Sequence, residues 1–252
     1  MKEIFKITRG TVVLIAIMIT IVLIGLGIAY TYYNGINKSE DPRVINAKIK
    51  YEKYIRLSDE NNINGALILL DTIESIYSEY DDYKNSYEVG VIYNDRSAIY
   101  LTQALYNTQD SLVKDSLLKI AEKYSVKSID IYKNWIDEFG EMSEESLLTY
   151  ISPIYLVQNP IFEEKMTDKY IRKRLKEIKI AQRETPRRLS VGYTNLGIIM
   201  RHQNDLDSAV KCYILALELW PDNLSAENNL NFLLGKPTRN RNLIDRLFPK
   251  EK

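Results

Sequence analysis

Residues Ser190 to Asn223 read SVGYTNLGIIMRHQNDLDSAVKCYILALELWPDN. Apolar and small residues fall at Tyr193, Leu196, Gly197 and Met200, and then at Ala209, Tyr213 and Ala216, followed by Pro221. Steps of three and four put each set on one face of a helix. Gly197 and Ala209 carry so little side chain that two such helices can approach closely. Between the sets, Asn204 can adopt a left-handed turn and Asp205 can cap the next helix, which Pro221 then stops. The stretch is a pair of amphipathic helices joined by a tight turn.

This 34-residue unit resembles a tetratricopeptide repeat, or TPR. The large, leucine, small and aromatic positions of that repeat's first helix match Tyr193, Leu196, Gly197 and Met200, with Met200 standing where an aromatic is usual. The Ala, aromatic, Ala and Pro positions of its second helix match Ala209, Tyr213, Ala216 and Pro221. The resemblance implies a TPR-like α-solenoid that binds proteins or peptides, with the first helix of each repeat lining a concave groove. On this repeat the outward positions of that helix are Val191, Thr194, Asn195, Ile198, Arg201 and His202, which are the candidate groove residues. Some TPR modules grip a terminal carboxylate with lysines and asparagines. Asn195 fits one such place, but Thr194 and Ile198 depart from the pattern, so a mixed apolar and hydrogen-bonding groove is expected instead.

No residue from Gly10 to Asn37 is charged, and Thr11–Tyr30 (TVVLIAIMITIVLIGLGIAY) matches the ~20 residues that cross a bilayer as a helix. Lys2, Lys6 and Arg9 precede this run, and Tyr30, Tyr32 and Tyr33 follow it as an aromatic belt. A transmembrane anchor over 11–33 is expected, with residues 1–10 cytoplasmic and the remainder extracytoplasmic, periplasmic in a bacterial cell envelope. A cleaved signal peptide competes with this reading, because Gly27-Ile28-Ala29 has the small residues that a signal peptidase needs. The long apolar run favours the uncleaved anchor.

After a linker at 34–42, scarce glycine and proline and repeated helical periodicity point to an all-α chain. A capping side chain precedes proline at Asp41-Pro42, Asn159-Pro160 and Thr185-Pro186, each of which therefore reads as a helix start. The expected helices are 43–58, 64–79, 86–107, 110–139, 143–157, 161–184, 187–202, 205–219 and 224–234. They form an irregular array of antiparallel hairpins: a degenerate region over 43–188, then the TPR unit and its capping helix over 189–235. Tyr93–Tyr100 resembles a further opening helix with Ser97 as the small residue, and Ser128, Tyr132 and Trp135 resemble a second helix. In the capping helix, Leu230 and Leu234 are expected to be buried.

Zero formal net charge gives no general attraction to nucleic acid. The charge is nevertheless uneven. Residues 40–150 carry 21 acidic and 12 basic side chains, whereas 151–252 carry 12 and 18. Ten of those basic residues lie in Lys165–Arg188, where Lys169, Arg172, Lys173 and Lys176 are candidates for a docking strip facing an acidic partner or anionic lipid headgroups. A basic tail follows at 236–252, with Leu243, Ile244, Leu247 and Phe248 able to fold back on the array. Cys212 is the only cysteine and His202 the only histidine, so neither a disulfide framework nor a thiol metal cluster can form. With no phosphate loop, zinc spacing or dinucleotide fingerprint, no cofactor, metal or catalysis is expected. The resulting expectation is a single-pass, membrane-tethered TPR-like scaffold for protein–protein interaction. The alternative is a permanent structural subunit of a membrane complex.

Overall fold

The computed structural model of the chain describes residues 15, 18–27, 39–157 and 160–240. Over these residues the protein is all α-helical. Residues 15 and 18–27 are helical, and among the described residues no helix is long and apolar enough to cross a membrane. The remainder of the expected anchor lies outside the described residues, as do 1–10, 34–38 and the end of the tail from 241.

From residue 39 the helices are α1 (Ile45–Asp59), α2 (Ile63–Ser78), α3 (Tyr87–Tyr106), α4 (Ser111–Phe139), α5 (Glu144–Leu156), a single 3-10 turn (Glu164–Met166), α6 (Thr167–His202), α7 (Leu206–Leu219) and α8 (Leu224–Leu233). Local chemistry sets most of the starts. Asn62, Asp110, Ser143, Asp205 and Asn223 each accept a hydrogen bond from a backbone N–H two or three residues ahead, which satisfies donors that a helix leaves free. Asn204 turns the chain at φ 64°, and Asn61 does the same at φ 57°.

Two of the three proline-marked starts require correction. Helix α6 runs unbroken for 36 residues through Pro186, so the helices expected at 161–184 and 187–202 are one. Proline removes one backbone bond and crowds the preceding turn, at a cost of about 3 kcal/mol. Burial on both sides offsets that cost, since Ala181, Thr185, Leu189 and Ser190 are all buried. Pro160 lies in a turn, and α6 begins only at Thr167. At Asp41-Pro42 a turn precedes α1, and the Asp41 carboxylate accepts from the Arg43 N–H while also holding the Arg43 guanidinium.

The helices pair as hairpins, α1 with α2, α3 with α4 and α6 with α7. Each second helix also packs on the first helix of the following pair: α2 on α3, α4 on α6 and α7 on α8. Helix α5 packs on the amino-terminal half of α6, forming an inserted hairpin. At 1.5 Å per residue α6 is about 54 Å long, and one helix therefore serves two hairpins and crosses the boundary drawn at residue 188. Glycine facing tyrosine recurs at the close helix contacts. A Cβ at Gly197 would meet Tyr213 Cε1 at 2.5 Å, and one at Gly90 would meet Tyr132 Cε1 at 2.5 Å. The small residue opposite Tyr132 is thus Gly90; Ser97 instead donates to the Ala121 carbonyl, 2.8 Å away.

At the carboxyl end the capping helix is less buried than expected. Leu230 is half-buried, and Leu234 and Phe232 are exposed, because no described element follows to cover them. Residues 236–240 fold back, with the Asn228 amide group bonded to both backbone groups of Arg239.

Candidate functional site

The first helices α1, α3 and α6 are joined side by side through polar side chains. Tyr51 of α1 donates to Asp95 of α3 at 2.8 Å, and Asn195 of α6 donates to the Asn94 Oδ1 of α3 at 3.2 Å. The Tyr54 hydroxyl also faces Asp95. Burial pushes the Asp95 carboxyl up to about 6, against the pull of the two tyrosine hydroxyls and of Arg188. A half-buried row of tyrosine, carboxyl and amide groups therefore runs along one layer of the array.

Of the six candidate groove residues, Asn195 belongs to this row and Val191, four residues before it, shares its helix face; both are half-buried. Thr194 does not face a groove. It is buried, donates to the Ser190 carbonyl and accepts from Asn223. Ile198 packs beside Leu101, Ala104, Leu118 and Ala121. Arg201 turns toward α8, donating to Asn229 Oδ1 at 3.0 Å with its guanidinium carbon 5.4 Å from the Phe232 ring centre. His202 sits beside Arg201, and burial with that neighbouring charge holds its imidazole below the usual range. The six residues are thus divided between contacts with α3, α4 and α8 and the half-buried row.

Three of the eight repeat positions, Ala209, Tyr213 and Ala216, are fully buried on α7, and Gly197 faces the Tyr213 ring. Tyr193, Leu196 and Met200 are half-buried, and Pro221 is exposed. Sequence reading passes over Asn223 as the end of the unit, yet its side chain ties three helices together. Its amide donates to Ser190 Oγ at 2.8 Å and Thr194 Oγ1 at 3.0 Å, and its Oδ1 caps α8. Ser190 Oγ in turn donates to the Ala216 carbonyl at 2.6 Å. Asn immediately before a helical run signals the cap; nothing local signals the two hydroxyls. Asn94, Asp95 and Tyr51 are likewise missed, because only the stacking of hairpins brings them together.

Within the basic strip, Lys173 lies against Glu40 at 2.5 Å and Glu177 at 3.9 Å, while Lys169, Arg172 and Lys176 are exposed. Neighbouring Arg174 is buried, contacting Glu88 at 2.5 Å with its guanidinium carbon 4.3 Å from the Tyr83 ring centre. Its charge holds the Glu88 carboxyl below the ordinary range even though burial works in the opposite direction. A cavity of about 120 Å³ opens nearby between the α2–α3 connection, α4, α5 and α6, lined by Trp135, Phe139 and Tyr150 with Asp81, Asp82 and Glu138. Asp82 is already held by Arg43 and Asp81 by Lys84.

Burial pushes the Cys212 thiol up to about 11, so it stays protonated near neutral pH. Among the described residues no group of three His, Cys, Asp or Glu side chains is arranged to hold a metal ion. No family model and no curated protein matches the chain.

Proposed function

We propose that the protein is a single-pass, membrane-tethered adaptor of TPR-like architecture, non-catalytic, which holds a partner protein or peptide beside the membrane. The observation that carries this reading is the alternation of contacts, in which every second helix packs on the first helix of the next pair, while side-chain hydrogen bonds link α1 to α3 and α3 to α6. Stacked hairpins of this kind create extended surfaces for recognition. The face available here combines Tyr51, Asn94, Asp95, Val191 and Asn195, rigid rings and amides that bind an extended peptide through its backbone groups. The uncharged run Gly10–Asn37 supports the tether, with the amino end cytoplasmic and the array extracytoplasmic. Confinement to a surface raises the local concentration of a partner held there. A thiol that stays protonated and a single histidine beside an arginine both support binding over chemistry.

The test is photo-crosslinking in cells, with the reactive residue placed at Val191 and, as a control, at exposed Lys119 on α4. Discrete adducts from Val191 in the membrane fraction, absent from Lys119, are expected. Identical adduct patterns from the two positions would remove the groove from consideration.

A second reading, a fixed structural subunit, draws on the apolar residues that the terminal hairpin leaves exposed: Leu206, Ile214, Leu215, Phe232 and Leu234. Native-gel migration after gentle solubilisation separates the two readings, since a fixed subunit never migrates alone whereas an adaptor has a free pool.

A further inference from the structure

Much of the basic run of α6 is consumed inside the molecule. Arg174 pairs with Glu88 and Glu177, Lys173 with Glu40 and Glu177, and Lys179 with Glu144. Lys169, Arg172, Lys176 and Arg183 are exposed and form no ion pair among the described residues. Spacings of three, four and seven residues put them on one helix face. Arg172, Leu175, Lys176, Lys179, Ile180 and Arg183 line one shallow groove there, with Ile180 40% exposed.

A merely solvated face would place carboxylates three or four residues from most of these cations, whereas only Asp168, four residues before Arg172, stands at such a spacing. Here Arg172 and Lys176 are like charges four residues apart, as are Arg183 and its two neighbours Lys179 and Arg187, which pair with Glu144 and Glu184, and such spacing is unfavourable in an isolated helix. An anionic surface turns that repulsion into attraction, and the two apolar side chains would enter its interfacial layer. The occupant is indicated by where the chain joins the array. Glu40 lies against both Lys48 and Lys173, and the next residue, Asp41, is buried with Arg43, Tyr83 and Tyr155. Residue 40 is therefore fixed beside the strip. Ten residues separate it from Tyr30, where the apolar run ends, a span of at most about 36 Å. The strip from Lys169 to Arg183 is itself about 21 Å long.

We propose that this basic face of α6 docks on the anionic phospholipid headgroups of the membrane that holds the amino-terminal segment, so that the array lies along the bilayer. The proposal rests on the tethered reading above. It is tested on the full chain carrying Cys212→Ser and Ile180→Cys, with an environment-sensitive fluorophore at position 180. The protein is reconstituted into vesicles of phosphatidylcholine alone or of phosphatidylcholine with phosphatidylglycerol. Blue-shifted emission and quenching by nitroxide lipid are expected only with phosphatidylglycerol, and both should weaken as added salt screens the charges. Adding Arg172→Gln, Lys176→Gln and Arg183→Gln removes three cations, and the ratio of docked to undocked protein should fall on the order of a hundredfold with unchanged helix content.

Equal emission in the two vesicles, or a response that survives the triple substitution, overturns the proposal. A response to polyglutamate but not to vesicles also overturns it, assigning the face to an acidic protein. Extraction of the chain by alkaline carbonate would instead remove the tether. The fluorophore's response to phosphatidylglycerol is read separately on the same sample, so the two failures remain distinct.

Discussion

A methyl group added at Gly197 would lie 2.5 Å from one Tyr213 ring atom and 2.8 Å from another, so the ring or the helix must move. Overpacking of this kind costs about 1–3 kcal/mol, less the roughly 1 kcal/mol that Ala gains over Gly in a helix. Gly197→Ala is therefore expected to lower the melting temperature and Gly197→Leu to lower it much further. An unchanged melting curve for the leucine variant would contradict the close approach. Asp95 poses a different problem at the same scale. Its folded value near 6 lies above its ordinary 3.8, so the folded state binds the proton more tightly than the unfolded chain. That contribution is fully present below the ordinary value and is lost as pH rises through about 6. Asp95→Asn should then gain stability over the parent as pH rises across this window, by about 3 kcal/mol once the carboxyl is ionised. Urea titrations of both proteins on either side of about pH 6 would show it, and a constant difference would mean that Asp95 ionises normally.

Among the elements, Pro186 and Asn223 show how local rules meet tertiary packing. Since α6 is continuous through Pro186, Pro186→Ala restores a backbone donor and is expected to stabilise the protein by up to about 3 kcal/mol. A loss of stability in denaturant titration would show instead that the ring packs usefully where it is. Asn223→Ala should cost about 2–4 kcal/mol, because it deletes a cap and leaves the Ser190 and Thr194 hydroxyls short of a donor. The check is a melting temperature that falls clearly more than for a cap that bonds only locally, such as Asp110→Ala. The turn at Asn204-Asp205 is legible in the sequence because its chemistry is confined to a few consecutive residues. Pro186 misleads for the same reason. A proline after a capping residue looks like a helix start, and only the burial of Thr185, Leu189 and Ser190 by distant elements keeps the helix running. The candidate groove divides in the same way: helical periodicity identifies which residues share a face, but not that Thr194 meets Asn223 or that Ile198 meets Leu101 and Leu118.

At the scale of the whole molecule, long helix α6 changes what a hairpin array can do. Stacked repeats usually open one at a time from their ends, since each touches only its neighbours. Here the hairpin with α5 and the hairpin with α7 share a single rod of about 54 Å, pinned in its carboxyl-terminal half by Asn195, Ser190 and Thr194 and toward its start by Arg174 and Lys173. Amide hydrogen exchange should therefore report one cooperative unit, with backbone groups near Ile178 and near Ile199 opening at closely similar free energies. Early loss of protection at Ile199 alone would show that the rod breaks at Pro186. If the unit holds, the helix acts as a lever: whatever fixes the angle of its basic end also fixes the angle at which the terminal hairpin presents itself, and a partner meets an orientation set some tens of ångströms away.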